Sequence, residues 1–123
     1  MSNTFLLISH QEEIHSFDNL VKALADLGEL QFLPEKEALQ ISLGLKYDIV
    51  IIDAAILDNK MLLISQIRER QPKTRIIVLT ASPTWRRARE ALKAGAMDYL
   101  SKTMSEREYF QAFKDILDRT LSL

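Results

Sequence analysis

The sequence predicts an α/β fold: a doubly wound, five-stranded parallel sheet of order 2-1-3-4-5 with five helices on its two faces. Three observations point there. Strand and helix signals alternate along the whole chain, as in consecutive parallel βα units. The strand candidates Phe5-Leu6-Leu7-Ile8, Ile49-Val50-Ile51-Ile52 and Ile76-Ile77-Val78-Leu79 are continuously apolar, as strands covered on both faces are. Polar residues follow these runs directly, at the edge where open parallel sheets gather their chemistry.

Each element has its own signal. Phe5 to Ile8 is the first strand. Ile14, Phe17, Leu20, Val21 and Leu24 recur at helical spacing, with Gly28 as the expected C-cap. Leu30 to Leu33 is a weak second strand. Pro34 opens a second helix carrying Ala38, Leu39 and Leu43 and ended by Gly44. Asp48 to Ile52 is the third strand. Met61, Ile64 and Ile67 mark the third helix, stopped before Pro72. Arg75 to Leu79 is the fourth strand. A fourth helix turns Ala88, Ala91 and Leu92 inward and ends at Gly95. Asp98-Tyr99-Leu100 is a short fifth strand. Ser105-Glu106-Arg107-Glu108 is a capping box opening the last helix, whose apolar stripe is Phe110, Phe113 and Leu117.

Composition bounds the function. The 123 residues read as a single domain spanning 1–123, with net charge −1 and 47% apolar residues. Sixteen basic residues against seventeen acidic ones exert no overall pull toward nucleic acid or membrane. With no cysteine, disulfides and thiolate zinc sites are excluded. That fits a reducing compartment, and the cytoplasm is the expected location. The chain shows no secretory leader and no apolar run that could span a bilayer.

Four strand ends converge in such a sheet, carrying Ser9-His10, Asp53, Thr80 and Lys102. Each has a plain structural role open to it. An Asp after a strand caps turns, Thr suits strand ends, and a lysine is ordinarily solvated. Together they offer phosphoryl chemistry: a carboxylate nucleophile, with a hydroxyl and an ammonium to bind phosphoryl oxygens.

At this point the chain resembles the receiver domain of bacterial response regulators, the CheY-like superfamily, whose fold is flavodoxin-like. The resemblance spans nearly the whole chain. Its most specific stretch is Ala94-Gly95-Ala96-Met97-Asp98-Tyr99-Leu100-Ser101-Lys102, supported by Tyr47-Asp48-Ile49-Val50-Ile51-Ile52-Asp53 and Ile77-Val78-Leu79-Thr80-Ala81-Ser82. It implies a phosphoacceptor switch module of two-component, phosphorelay signal transduction, not an enzyme, with a sensor histidine kinase or other signalling protein as partner. It makes Asp53 the acceptor, Thr80 the switch hydroxyl, Lys102 the phosphoryl contact and Tyr99 the rotating aromatic. The sequence fits a half-buried strand aromatic at Tyr99 equally well.

The chain departs from the family at the metal. Receivers carry an acidic pair after the first strand that helps hold Mg²⁺, and the matching positions are Ser9 and His10. Mg²⁺ prefers carboxylates and waters. A weak Mg²⁺ site resting on Asp53 is therefore expected, with Glu12 or Glu13 reaching back as the alternative. Those two acids otherwise begin the first helix. The Pro and Gly usual after the acceptor are Leu57 and Met61, and the Pro usual after the lysine is Thr103. The expectation is a degenerate pseudo-receiver that works mainly through protein contacts. A phosphoryl group adds about −1.5 to −2 charge. Without metal, Lys102, backbone N–H groups and a protonated His10 would have to balance it. His10 is otherwise an exposed loop residue.

The fourth helix, Pro83 to Lys93, places Trp85, Arg86, Arg89 and Lys93 off its apolar face. Trp and Arg are enriched at binding hot spots. In receivers the face built from this helix, the fifth strand and the last helix mediates dimerisation or docking, so a homodimer through it is expected. A solvated basic helix is the other reading. No nucleic-acid reader motif is present. Two further functions stay open: a fully competent Mg²⁺-dependent phosphoacceptor, and a small flavodoxin-like enzyme or ligand-binding protein. Against the latter, the chain has only three glycines and no Gly-rich phosphate loop.

Overall fold

The continuously apolar runs form the centre of a parallel sheet in the computed structural model, which describes residues 3–38, 46–58 and 60–119. The strands are β1 (Asn3–Ser9), β2 (Gly28–Pro34), β3 (Ile49–Asp53), β4 (Arg75–Thr80) and β5 (Asp98–Ser101), in the order β2-β1-β3-β4-β5. All four pairings are parallel. The helices are α1 (Asp18–Ala25), α2 (Leu62–Arg70), α3 (Trp85–Ala94) and α4 (Glu106–Asp118).

The two-residue period of a strand sorts the core into two layers. Phe5, Leu7, Ile49, Ile51, Ile77 and Leu79 pack with Leu20 and Leu24 of α1 and Tyr109, Phe113 and Ile116 of α4. Leu6, Ile8, Val50, Ile52, Ile76 and Val78 pack with Ile64 and Ile67 of α2 and Ala91 of α3. Phe5 and Phe113 meet edge to face, with centroids 6.4 Å apart. Such a pair adds about 0.5–1.5 kcal/mol beyond area burial. Arg68 of α2 donates through Nε and Nη2 to the carbonyl of Gly95, at 3.2 and 2.9 Å, tying α2 to the end of α3. Gly95 has φ +125°, a conformation that suits glycine.

Several expectations change. Four α-helices are present among the described residues, where five were expected. Pro34 ends β2 in extended backbone, and the residues after it, Glu35–Glu37, form a 3₁₀ turn. The rest of the expected second helix falls on 39–45, outside the described residues. The first helix starts at Asp18, after a separate 3₁₀ turn at Gln11–Glu13. Ile14, on the far side of that break, and Val21 are exposed, while Phe17, Leu20 and Leu24 are buried. Gly28 is no C-cap; it starts β2 alongside Asn3, and a Cβ there would lie 2.0 Å from the Asn3 carbonyl oxygen. Leu92 faces outward at 48% exposure. No helix among the described residues is long and apolar enough to cross a membrane.

The capping box of α4 is complete. Ser105 Oγ accepts from Glu108 N–H at 3.1 Å, and the Glu108 carboxylate accepts from Ser105 N–H at 3.0 Å. The backbone N–H of Ser105 holds the Glu108 carboxyl below its ordinary pKa. The depressed folded value makes this contribution present above the unfolded pKa of about 4.3 and lost as pH falls through the folded one. Glu108→Gln should therefore flatten the acid limb of the stability–pH curve below about 4.3, measured by urea unfolding. Gly28→Ala should lower unfolding stability by about 1–3 kcal/mol, because β1 leaves no room for the methyl group.

Candidate functional site

Parallel register brings the site together. Ile8 pairs with Ile52, Asp53 with Leu79, and Thr80 with Ser101. Ser9, Asp53, Thr80 and Lys102 therefore emerge at one edge of the sheet. Asp53 closes β3 and caps the 3₁₀ turn Ala54–Ile56.

The Asp53 carboxylate is fully buried, and protein donors hold both its oxygens. Oδ1 accepts from Ala55 N–H at 2.9 Å and from Lys102 Nζ at 2.5 Å. Oδ2 accepts from the buried Ser9 hydroxyl at 2.7 Å. The Lys102 side chain is 22% exposed. Its ammonium also lies 5.7 Å from the centroid of the Phe17 ring, within cation–π range. The Lys102 N–H bonds the carbonyl of Thr80 at 2.8 Å, which pins the β5 end to the β4 end. The Thr80 hydroxyl accepts from Ser82 N–H at 3.2 Å, shaping the turn after β4. It keeps its proton for another acceptor.

Above this group lies a cleft of about 280 Å³ lined by Ala54, Ala55, Thr80, Ala81, Ser82, Arg87, Tyr99 and Lys102. Tyr99 is half-buried, packed against the α2–α3 core. Arg87 is a site residue that the sequence reading passed over. A signal for it exists: it stands four residues before the buried Ala91, on the same column of α3.

The other expected residues separate from Asp53. His10 Nδ1 pairs with Glu35 Oε1 at 2.7 Å, beside the end of β2. Glu12 and Glu13 lie in the 3₁₀ turn, not at the start of the first helix. Among the described residues, no three His, Cys, Asp or Glu side chains come together as a metal cage. Trp85, Arg86, Arg89 and Lys93 are exposed on α3, Trp85 at 75%.

The five-stranded parallel sheet gathers an aspartate, a hydroxyl and a lysine at its carboxyl edge, where open parallel sheets place their chemistry. The family model for the response regulator receiver domain matches residues 3–114, and the chain belongs to that family, a module of two-component signalling. The structure is similar to a response regulator from Thermotoga maritima, at 26% identity and TM-score 0.86, over 97% of this chain and 100% of that one. It is similar to the signal receiver domain of an HD domain-containing protein from Pseudomonas fluorescens, at 27% identity and TM-score 0.76, over 96% of each chain. A Burkholderia pseudomallei response regulator with a phosphorylated aspartic acid and a calcium ion shares the fold, at 24% identity and TM-score 0.71, over 98% of this chain and 78% of that one. Among curated proteins no match is found.

Lys102→Met would leave Asp53 buried without its cation. The cost should approach the roughly 3–5 kcal/mol of a broken buried pair, reduced by the partial exposure of Lys102. Ser9→Ala removes one hydrogen bond to a charged group and should cost about 1.5–3 kcal/mol. Urea unfolding of both variants checks the order, Lys102→Met being the less stable.

Proposed function

We propose that this chain is a receiver module whose acceptor site is closed by its own side chains and that signals mainly through protein contacts. Asp53 occupies the acceptor position, Thr80 the switch hydroxyl, Lys102 the phosphoryl contact and Tyr99 the switch aromatic. The observation that carries the reading is the Ser9 hydroxyl on Asp53 Oδ2, with Lys102 and Ala55 filling Oδ1. Receiver domains typically bind Mg²⁺ at this place. Here the donor set fits it poorly. The ion would have one carboxylate, and that carboxylate's oxygens are already hydrogen-bonded. His10, which could lend a charge, is paired with Glu35 instead. Phosphorylation of Asp53 is accordingly weak, metal-independent or absent.

The contact surface of this reading is α3 with β5 and α4. Trp85 and Leu92 are its exposed apolar residues, flanked by Arg86, Arg89 and Lys93. An aromatic and an aliphatic anchor ringed by arginines suit a protein partner. A second copy of this chain, a sensor histidine kinase or another signalling protein fits it; nucleic acid does not, given the net charge of −1. A cytoplasmic location accords with this reading.

Titration of Mg²⁺ with beryllofluoride, followed by the fluorescence of Trp85, the single tryptophan, tests the closed site. The native chain should show no tight Mg²⁺-dependent response, and the Ser9→Asp/His10→Asp double variant should gain one. Tight Mg²⁺-dependent binding by the native chain, abolished by Asp53→Ala, would overturn the proposal.

A further inference from the structure

A receiver without its metal still has to balance any phosphoryl group that reaches it, and the charge cannot come from His10, which is engaged with Glu35. The cleft over Asp53 contains another cation. Arg87 lines it together with Lys102, Thr80 and Tyr99. Among the described residues Arg87 takes part in no ion pair with a carboxylate. Its place in the first turn of α3, held by Thr84 Oγ1 accepting from Arg87 N–H at 3.3 Å, fixes where the side chain starts.

Resting on the reading of a metal-poor site, we infer that Arg87 is the charge-compensating residue of the cleft, which holds a phosphate-class oxyanion over Asp53 without Mg²⁺. Arginine presents a planar fork of N–H donors that matches phosphoryl oxygens and stays charged at all relevant pH. Lys102 supplies a second cation, and the Thr80 hydroxyl still has a proton to donate. Two cations meet the roughly −1.5 to −2 charge of a phosphoryl group. On Asp53, the partners of Oδ1, Ala55 and Lys102, line the cleft, whereas Ser9, the partner of Oδ2, does not. Because Asp53 has no exposed surface, Lys102 must first turn from Oδ1 toward the cleft, where its ammonium meets the incoming oxyanion. Once Lys102 turns to the anion, Oδ1 has a free lone pair and is the oxygen able to form a bond to phosphorus. With nitrogen-protonated phosphoramidate as donor, the Oδ1–P bond forms as the P–N bond breaks and nitrogen leaves as ammonia.

The oxyanion has two sources, a group carried on Asp53 or free phosphate, and the experiment separates them. In chelator-treated, Mg²⁺-free buffer, beryllofluoride binding is followed by ¹⁹F NMR for the native chain, Arg87→Gln and Arg87→Lys. Inorganic phosphate is followed by amide shift mapping, and phosphoramidate by intact mass. The native chain should bind without Mg²⁺, Arg87→Gln about tenfold more weakly or worse, and Arg87→Lys in between. Unchanged thermal unfolding of Arg87→Gln separates this from misfolding. Phosphate shifts at residues 80–87 that persist in Asp53→Asn assign the anion as free. Beryllofluoride binding or an added phosphoryl mass that needs Asp53 assigns it as carried on the carboxylate. Metal-free binding unaffected by Arg87→Gln, or no metal-free binding of any probe, overturns the role of Arg87 and leaves the closed-site reading standing. Tight native binding that appears on adding Mg²⁺ overturns that reading itself.

Discussion

A carboxylate with no solvent-accessible surface must be satisfied by protein donors, and the architecture around Asp53 answers to that requirement. With no surface open to solvent, the carboxylate takes a cation and two hydrogen-bond donors from elsewhere in the chain. Lys102 comes from the residue after β5, Ser9 from the end of β1, and Ala55 from the turn that Asp53 itself caps. The ends of β1, β3 and β5 are thereby coupled to the charge state of one residue. Removing one partner leaves an uncompensated charge, a larger penalty than the pair's net contribution to stability. The arrangement accordingly specifies where strand ends lie more than it adds to stability.

The requirement reaches outward through register. Asp53 meets Ser9 because β1 and β3 are parallel neighbours paired from Phe5 with Ile49 to Ile8 with Ile52. A slip by one residue would turn every side chain of a strand to the opposite face. In a sheet with apolar layers on both faces, each layer would then need repacking against its helices. The two cores thus hold the register, and the register holds the site. The close approach of Gly28 to Asn3 and the clamp of Thr4 N–H on Asp48 Oδ2, at 2.8 Å, fix the opposite end of the same strands.

Much of this was legible in the chain itself. The apolar runs announced the strands, and the capping box at Ser105 announced α4, since both signals are local. Asp53, Thr80 and Lys102 were legible as strand-end residues, and the structure draws them into one cluster. The misread features depend on phase or on distant partners. A 3₁₀ turn before Asp18 breaks the spacing that linked Ile14 to Leu24. On a ten-residue helix resting on small residues, Ala91 takes the buried position and Leu92, one residue on, turns out to solvent. No local pattern says that His10 will meet Glu35, because the contact joins the residue after β1 to the one after β2. Arg87 stood out less because it sits among Arg86 and Arg89, although its place four residues before the inward Ala91 was already legible.

The exchange of an acidic pair for Ser9 and His10 reverses the electrostatics of the site. Clustered carboxylates repel one another until a divalent cation arrives, so metal binding completes such a site. A single carboxylate with an ammonium is already balanced, and a serine hydroxyl completes it without adding charge. A divalent cation would then have to displace Lys102, giving up an existing ion pair for a poorly coordinated one. An incoming anion faces no such exchange: it can draw Lys102 toward itself and meet Arg87 across the cleft. On the proposed reading, the same residues that disfavour the metal favour the anion. The turn after β4, shaped by the Thr80 hydroxyl, and the first turn of α3 both border that cleft. On the proposed reading, a charge arriving there would act on the segment that leads to Trp85 and the exposed face beyond it.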